Sequence, residues 1–181
     1  MKKISLATCL LCLLTTLFYT SCERDDICPE STPTTPRLII DIFDINNQES
    51  KKNVFGLLVA GVGNNNVLPG YGIVSQDQLI LPLKTTDNQT QYRLFQDTTI
   101  NDNGTPDNPD DDYPEGNEDI ITINYSTELV FVSRACGYKT IFTNVTLTIE
   151  QDGDNWILSK QSVNNNQSVE DETAAHFNIF H

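Results

Sequence analysis

The sequence predicts an all-β fold, a single antiparallel β-sandwich carrying a long acidic loop. Three observations point there. Apolar and polar residues alternate over short runs, and no stretch of about ten residues carries an apolar stripe at the helical period. Clusters of Gly, Asn, Asp and Pro interrupt the runs at short intervals. Short strands joined by such turns, about seven to nine of them, favour two packed sheets over an alternating α/β arrangement.

The elements follow in order. Residues 38–45, rich in branched residues with Phe43 among them, read as a strand that ends at Asn46-Asn47, and residues 54–62 read as a second. Within the latter, Gly56 and Gly61 point to bulges or close backbone approach. Asn64 to Asn66 and Pro69-Gly70 punctuate a long connection. Leu79, Leu81 and Leu83 alternate, although Pro82 removes a ladder donor, and a turn at residues 86–89 leads into residues 91–96. Those two segments are expected to form a hairpin.

In the second half, Ile121, Ile123 and Tyr125 share one face of a strand with Thr122 and Asn124 on the other. Residues 129–132 are continuously apolar and are expected to be central. Val145, Leu147 and Ile149 mark a strand over residues 139–150, which is expected to pair antiparallel with residues 156–158 across the turn at 152–155. After a polar stretch, residues 176–180 read as a short closing strand. A Greek-key or immunoglobulin-like connection would suit this order, but Trp156 follows both Cys28 and Cys136, so the Cys, Trp, Cys order of true immunoglobulin domains is absent.

Residues 97–119 contain nine acids and no base. Their Pro, Gly and Asn content offers little apolar area in return for ordering, so a solvated, mobile excursion is expected. The sharper alternative is a Ca²⁺ site, because Asp97, Asn101, Asp102, Asn103 and Asp107 supply hard oxygen ligands. Their spacing is not that of the twelve-residue calcium loop, which ends in a bidentate Glu.

The first 21 residues combine Lys2 and Lys3 with an apolar run reaching Phe18 and Tyr19, the pattern of an export signal. Removing them leaves 9 basic against 25 acidic residues, a formal charge of −16. Such a field repels a phosphate backbone and argues against nucleic acid as a partner. The remaining length suits one domain. Tyr19-Thr20-Ser21-Cys22 resembles a bacterial lipoprotein leader, with the expected small residue before the Cys but Tyr19 where Leu is usual. The resemblance implies a signal peptide at residues 1–21, acylation of Cys22, and membrane lipid as a partner through it. Residues 22–36, with three prolines, then read as a polar tether, and residues 37–181 as the sandwich domain. Glu23, Asp25 and Asp26 resemble the surface-export signal of Bacteroidota lipoproteins, with Arg24 interrupting; a plain solvated linker is the alternative.

Cys9 and Cys12 fall in the leader and Cys22 at its end, so Cys28 and Cys136 remain for the domain. An exported compartment permits their pairing, which would close a loop of roughly 109 residues worth ~4–5 kcal/mol in the ideal chain-entropy model. Two separately buried thiols are the alternative.

Catalytic chemistry is thinly represented. His176 and His181 lie at the C-terminal end, outside any metal motif, and neither a Walker A nor a dinucleotide fingerprint occurs. Asp41, Asp44, Glu128 and Glu150 are candidates for a pair of hydrolytic carboxylates, which must face each other about 5–9 Å apart. Tyr71, Tyr92, Tyr113, Tyr125, Tyr138 and Trp156 could line a carbohydrate or peptide groove, or simply pack. Arg134 and Lys139 flank Cys136 in an acidic chain and are candidates for ligand contact, or for pairing with Asp25 or Asp26.

Taken with Cys22-Glu23-Arg24-Asp25-Asp26-Ile27-Cys28-Pro29 and Pro36-Arg37-Leu38-Ile39-Ile40, the stretch from Glu128 through Arg134 and Cys136 to Phe142 resembles an uncharacterised family of Bacteroidota lipoproteins. That resemblance implies a cell-envelope lipoprotein and supplies no catalytic residues. Asp97-Thr98-Thr99 resembles the short O-glycosylation acceptor of exported proteins in that phylum, with Thr98 as the acceptor. The expectation is an outer-membrane, lipid-anchored module with a structural or binding role toward an envelope protein or glycan. A small envelope hydrolase and a calcium-responsive module are the alternatives.

Overall fold

The computed structural model describes residues 27–181 apart from 33, 65, 164 and 166. The leader, Cys22 and the acids after it lie outside the described residues. Two sheets pack face to face as a β-sandwich, and no α-helix occurs among the described residues. In the first sheet β1 (Leu38–Asp44) is central. One of its edges pairs with β10 (Phe177–Phe180); the other is shared by β5 (Gln78–Leu81) and β2 (Asn47–Lys51). β9 (Ser159–Ser162) pairs with β10. The second sheet runs β4-β3-β6-β7-β8, with β4 Val74–Gln76, β3 Val54–Gly61, β6 Gln89–Asn101, β7 Tyr113–Ser133 and β8 Gly137–Ile149.

The period-2 alternation explains the core. Leu38, Ile40 and Ile42 of β1 meet Leu57 and Val59 of β3, Tyr92 and Leu94 of β6, and Ile121, Ile123 and Tyr125 of β7, all buried. Phe142 of β8 is fully buried and meets the Tyr125 ring edge-on at 5.0 Å. The β1/β10 pair is parallel, with Ile40 opposite Phe177 and Ile42 opposite Ile179, so the sandwich is not antiparallel throughout.

Two expected pairings do not form. β5 pairs with β1 and β6 with β3 and β7, so residues 79–83 and 91–96 lie in different sheets. Three tyrosine hydroxyls explain why the connection crosses over instead of closing a hairpin. Tyr71 Oη accepts from Ile80 N at 2.7 Å, Tyr92 Oη donates to Pro82 O, and Tyr125 Oη donates to Lys84 O at 2.8 Å. Thr90 Oγ1 meets Tyr125 Oη at 2.6 Å and accepts from Lys84 N at 3.0 Å. Tyr92 and Tyr125 find backbone partners on the connection itself and Tyr71 finds one in β5 just before it.

Likewise β8 pairs with β7, not with residues 156–158. Trp156 leaves the ladder to donate from Nε1 to Leu94 O at 3.2 Å, and β9 begins only at Ser159. Residues 129–132 are the late part of β7 and not a central strand, with Leu129 70% exposed. β2, β4 and β9 are polar strands with no apolar alternation to mark them.

The chain divides into two compact units. The described part of the smaller comprises residues 27–32 and Phe131–Tyr138; the larger spans Pro33–Val130 and Lys139–His181. In the smaller unit Cys28 and Cys136 form a disulfide, with Cα atoms 4.8 Å apart. Thr32 Oγ1 lies 3.5 Å from Cys136 Sγ, and Cys136 N donates to Ser133 Oγ at 3.0 Å.

Candidate functional site: a cavity roofed by the acidic hairpin

The acidic stretch is not one mobile loop. β6 continues to Asn101 and β7 starts at Tyr113, so most of residues 97–119 form the two arms of a hairpin. The excursion that remains is residues 102–112, which include one 3-10 turn, Pro109–Asp111. Pairing with β7 supplies the hydrogen bonds that composition alone does not promise.

The hairpin carries a bulge. Gln96 pairs with Asn117 and Thr99 with Glu115, so Asp97 and Thr98 together oppose Gly116. Asp97 adopts φ +53°, a left-handed conformation that Asp tolerates better than most residues. Glycines press on the bulge from both neighbouring strands. A Cβ on Gly56, which itself has φ +58°, would lie 2.8 Å from Thr98 N and 2.9 Å from Asp97 Cα. A Cβ on Gly116 would lie 2.7 Å from Gln96 O. Only Gly fits at either place. Of the two glycines expected to mark bulges or close approach, Gly56 does so, whereas Gly61 has room for a Cβ.

Bulges bend a strand pair, and here the distal arms fold over the outer face of the second sheet. That face is apolar: Leu58, Ala60 and Phe95 form a buried cluster separate from the sandwich core. Leu58 pairs with Phe95 and Ala60 with Arg93. The result is a cavity of about 330 Å³ with Leu58 and Ala60 as its floor. Val67, Ile100, Tyr113 and Pro114 make the walls, and Arg93 and Asp112 supply the charges.

Arg93 is already engaged. Its Nε and Nη2 donate to the two carboxylate oxygens of Glu118 at 2.5 and 2.9 Å, and its guanidinium sits 4.9 Å from the centre of the Phe95 ring. The bond to Glu118 raises the Arg93 pKa above its ordinary value, so the guanidinium stays charged while its field is largely cancelled. A ligand in this cavity meets apolar walls, one neutralised ion pair and the carboxylate of Asp112.

Beneath the hairpin the inward face holds Asp119, fully buried. Its Oδ2 accepts from Ile157 N at 2.7 Å and its Oδ1 from Asn155 Nδ2 at 3.1 Å, which fixes the loop that delivers Trp156 to the core. Burial pushes the Asp119 carboxyl above its ordinary value, against the pull of those bonds. Sequence reasoning placed Asp119 in the solvated insert. The signal was present, since Asp119 is in phase with Ile121, Ile123 and Tyr125.

The candidate calcium ligands do not converge. Asp97 sits in the bulge, while Asn101 Oδ1 accepts from Asn103 N at 2.8 Å and Asp102 Oδ1 from Gly104 N at 3.0 Å. Asn103 Nδ2 donates to Asp111 at 3.4 Å, and Thr105 Oγ1 donates to Asp111 at 2.8 Å, which holds the Asp111 carboxyl below its ordinary range. Asp107 is exposed. The loop's oxygens satisfy its own turns, and among the described residues no three His, Cys, Asp or Glu groups are placed to share a metal. Thr98 is buried with its Oγ1 unpartnered, so the folded domain does not present that hydroxyl to a glycosyl donor.

Most of the other charged candidates and both histidines have structural partners. Lys139 Nζ donates to Glu170 O at 2.8 Å; Arg134 is exposed in the smaller unit. Asp41 pairs with Lys51 at 2.9 Å and Asp44 accepts from Asn46 N at 2.9 Å. His176 is buried, and its Nδ1 accepts from Ile39 N at 3.0 Å. His181 is held as well, buried edge-on against Trp156 at 5.6 Å. Burial lowers the pKa of both imidazoles.

Fold and site together define a disulfide-bonded β-sandwich with a hairpin-roofed apolar cavity. Residues 56–181 match the family of unknown function DUF6452, and the chain belongs to that family. The match takes in both bulge glycines, the whole hairpin and Cys136, and begins after Cys28. No curated protein and no solved structure matches the chain.

Proposed function

We propose that the protein is an exported lipoprotein, attached to the outer membrane through acylated Cys22, whose sandwich binds a small apolar ligand beneath the acidic hairpin. The observation that carries the binding reading is the cavity of 330 Å³ over Leu58 and Ala60. Its volume lies in the range of small-molecule sites, and its walls are predominantly apolar with few polar groups. The Arg93–Glu118 pair offers no net charge and Asp112 adds a negative one, so the preferred ligand is neutral or carries a cation beside its apolar body. The leader and Ser21-Cys22 support the attachment. The Cys28–Cys136 disulfide supports a compartment more oxidising than the cytoplasm.

Two experiments test this. Titration with N-phenyl-1-naphthylamine, a neutral fluorescent probe, is expected to give a saturable enhancement in the wild type that Ala60→Phe abolishes by filling the floor. An equal signal in a folded Ala60→Phe variant would remove the cavity as the binding site. Mass spectrometry of protein extracted from its native membrane is expected to find acyl mass on Cys22 and no residues 1–21.

A further inference from the structure

We propose that the exposed apolar face of the smaller unit is a membrane-docking surface, seated at the headgroup–acyl boundary of the bilayer that holds the Cys22 acyl chains. The proposal rests on the lipoprotein reading above and adds to it a contact between protein and lipid that acylation does not require. Three observations carry it.

The first is the face itself. Ile27 is 80% exposed, Phe131 56% and Tyr138 66%. The two rings meet edge-on at 5.4 Å, so each limits the other's freedom, and less entropy is lost when the pair is buried. Beside them a groove lined by Pro29, Ala135 and the disulfide half Cys136 includes Arg134, an exposed cation in a chain of strong negative charge. Aromatic rings with one polar end, an aliphatic side chain and a basic group suit the interface between headgroups and acyl chains.

The second is reach. Cys22 precedes Cys28 by six residues, and a chain spans at most ~3.3–3.6 Å per residue, so the acyl-bearing residue lies within roughly 20 Å of Cys28. The disulfide joins Cys28 to Cys136, two residues from Tyr138 and five from Phe131. Anchoring at Cys22 therefore presents this face to the bilayer at high effective concentration, and no other occupant is delivered by the chain's own connectivity.

The third is charge. With a mature formal charge of −16, the protein is repelled by anionic lipid, and the three acids after Cys22 add to that locally. Docking consequently draws on apolar area and on the Arg134 guanidinium meeting lipid phosphate. It is expected to be as strong on zwitterionic vesicles as on mixed ones.

The test uses the acylated mature chain in phosphatidylcholine vesicles with brominated acyl chains. The only native Trp, Trp156, is buried and sets the emission baseline. Phe131→Trp is expected to add emission that is blue-shifted in vesicles and lost in brominated lipid. Tyr138→Trp reports the same face independently, and combining Phe131→Trp with Cys28→Ser and Cys136→Ser is expected to restore the added emission by freeing the face from the anchor. Acylated protein whose added Trp emission is unshifted in both lipids would overturn the docking surface and leave the lipoprotein reading standing. A blue shift without bromine quenching, meaning that a second copy or another protein covers the face, would also overturn it. Protein without acyl mass on Cys22 would overturn both.

Discussion

β7 is secured near its two ends by different means. Where it meets β6, the hairpin is held in its bent form by Gly56 and Gly116 closing on the bulge and by Asp119 below. Where it turns into β8, the tip is fixed covalently by Cys28–Cys136. The first device is built from close backbone approach and from the buried hydrogen bonds of Asp119, and is indifferent to redox state. The second depends on the redox state of its surroundings. The difference teaches that one strand can carry a permanent feature, the roofed cavity, and a conditional one, the fastening of residues 27–32.

The largest expected effect comes from breaking the covalent device. Cys28→Ser with Cys136→Ser opens a loop of sequence separation 108 and is expected to lower unfolding free energy by about 4 kcal/mol in urea titrations. Reduction of the wild type should match it. A loss well below this would mean that the bond fastens only the small unit. Next comes the glycine clamp: Gly56→Ala is expected to cost about 3 kcal/mol, combining left-handed strain with backbone overlap. Gly116→Ala, with overlap but no left-handed φ, is expected to cost about 2 kcal/mol.

Asp119→Ala leaves the buried Ile157 N without its side-chain acceptor and removes one of the two bonds donated by Asn155 Nδ2, and is expected to cost about 2 kcal/mol. Its folded carboxyl is raised above its ordinary 3.8, so this group's contribution is most favourable below that pH and declines as pH rises through the folded value. Asp119→Asn should flatten that part of the stability profile. Smaller still is the Arg93–Glu118 pair at the cavity, about one-third exposed, for which a double-mutant cycle is expected to return about 1 kcal/mol.

A final prediction touches neither end of β7 and serves as the reference. His176 accepts from Ile39 N only while neutral, and burial holds its pKa below the ordinary 6.5. Its contribution is complete above pH 6.5 and declines as pH falls from there through the lower folded value. His176→Gln, which keeps an acceptor, is expected to reduce that slope in denaturation midpoints measured across it.

Much of the fold was legible from alternation. β1 and the cores of β6, β7, β8 and β10 follow runs whose inward apolar residues repeat every second position, whereas β3 is apolar on both faces, with Leu57 and Val59 in the sandwich core and Leu58 and Ala60 in the outer cluster. Pairing was not legible, since nothing in residues 79–83 announces that the hydroxyls of Tyr92 and Tyr125 will tie the connection across to the other sheet. The site was half legible. Gly56 signalled close approach, but the composition of residues 97–119 hid two arms whose backbone groups are satisfied by each other. At the opposite end, continuous apolarity in residues 129–132 suggested a central strand, yet Leu129 and Phe131 are exposed, because an apolar run is buried only where something covers it.

Amide hydrogen exchange across residues 97–119 tests the bent hairpin most directly. Slow exchange is expected on both arms, in β6 and β7 on either side of the Asp97–Thr98 bulge, with fast exchange confined to residues 102–112. Uniformly fast exchange from 97 to 119 would contradict the hairpin, and with it the cavity it roofs.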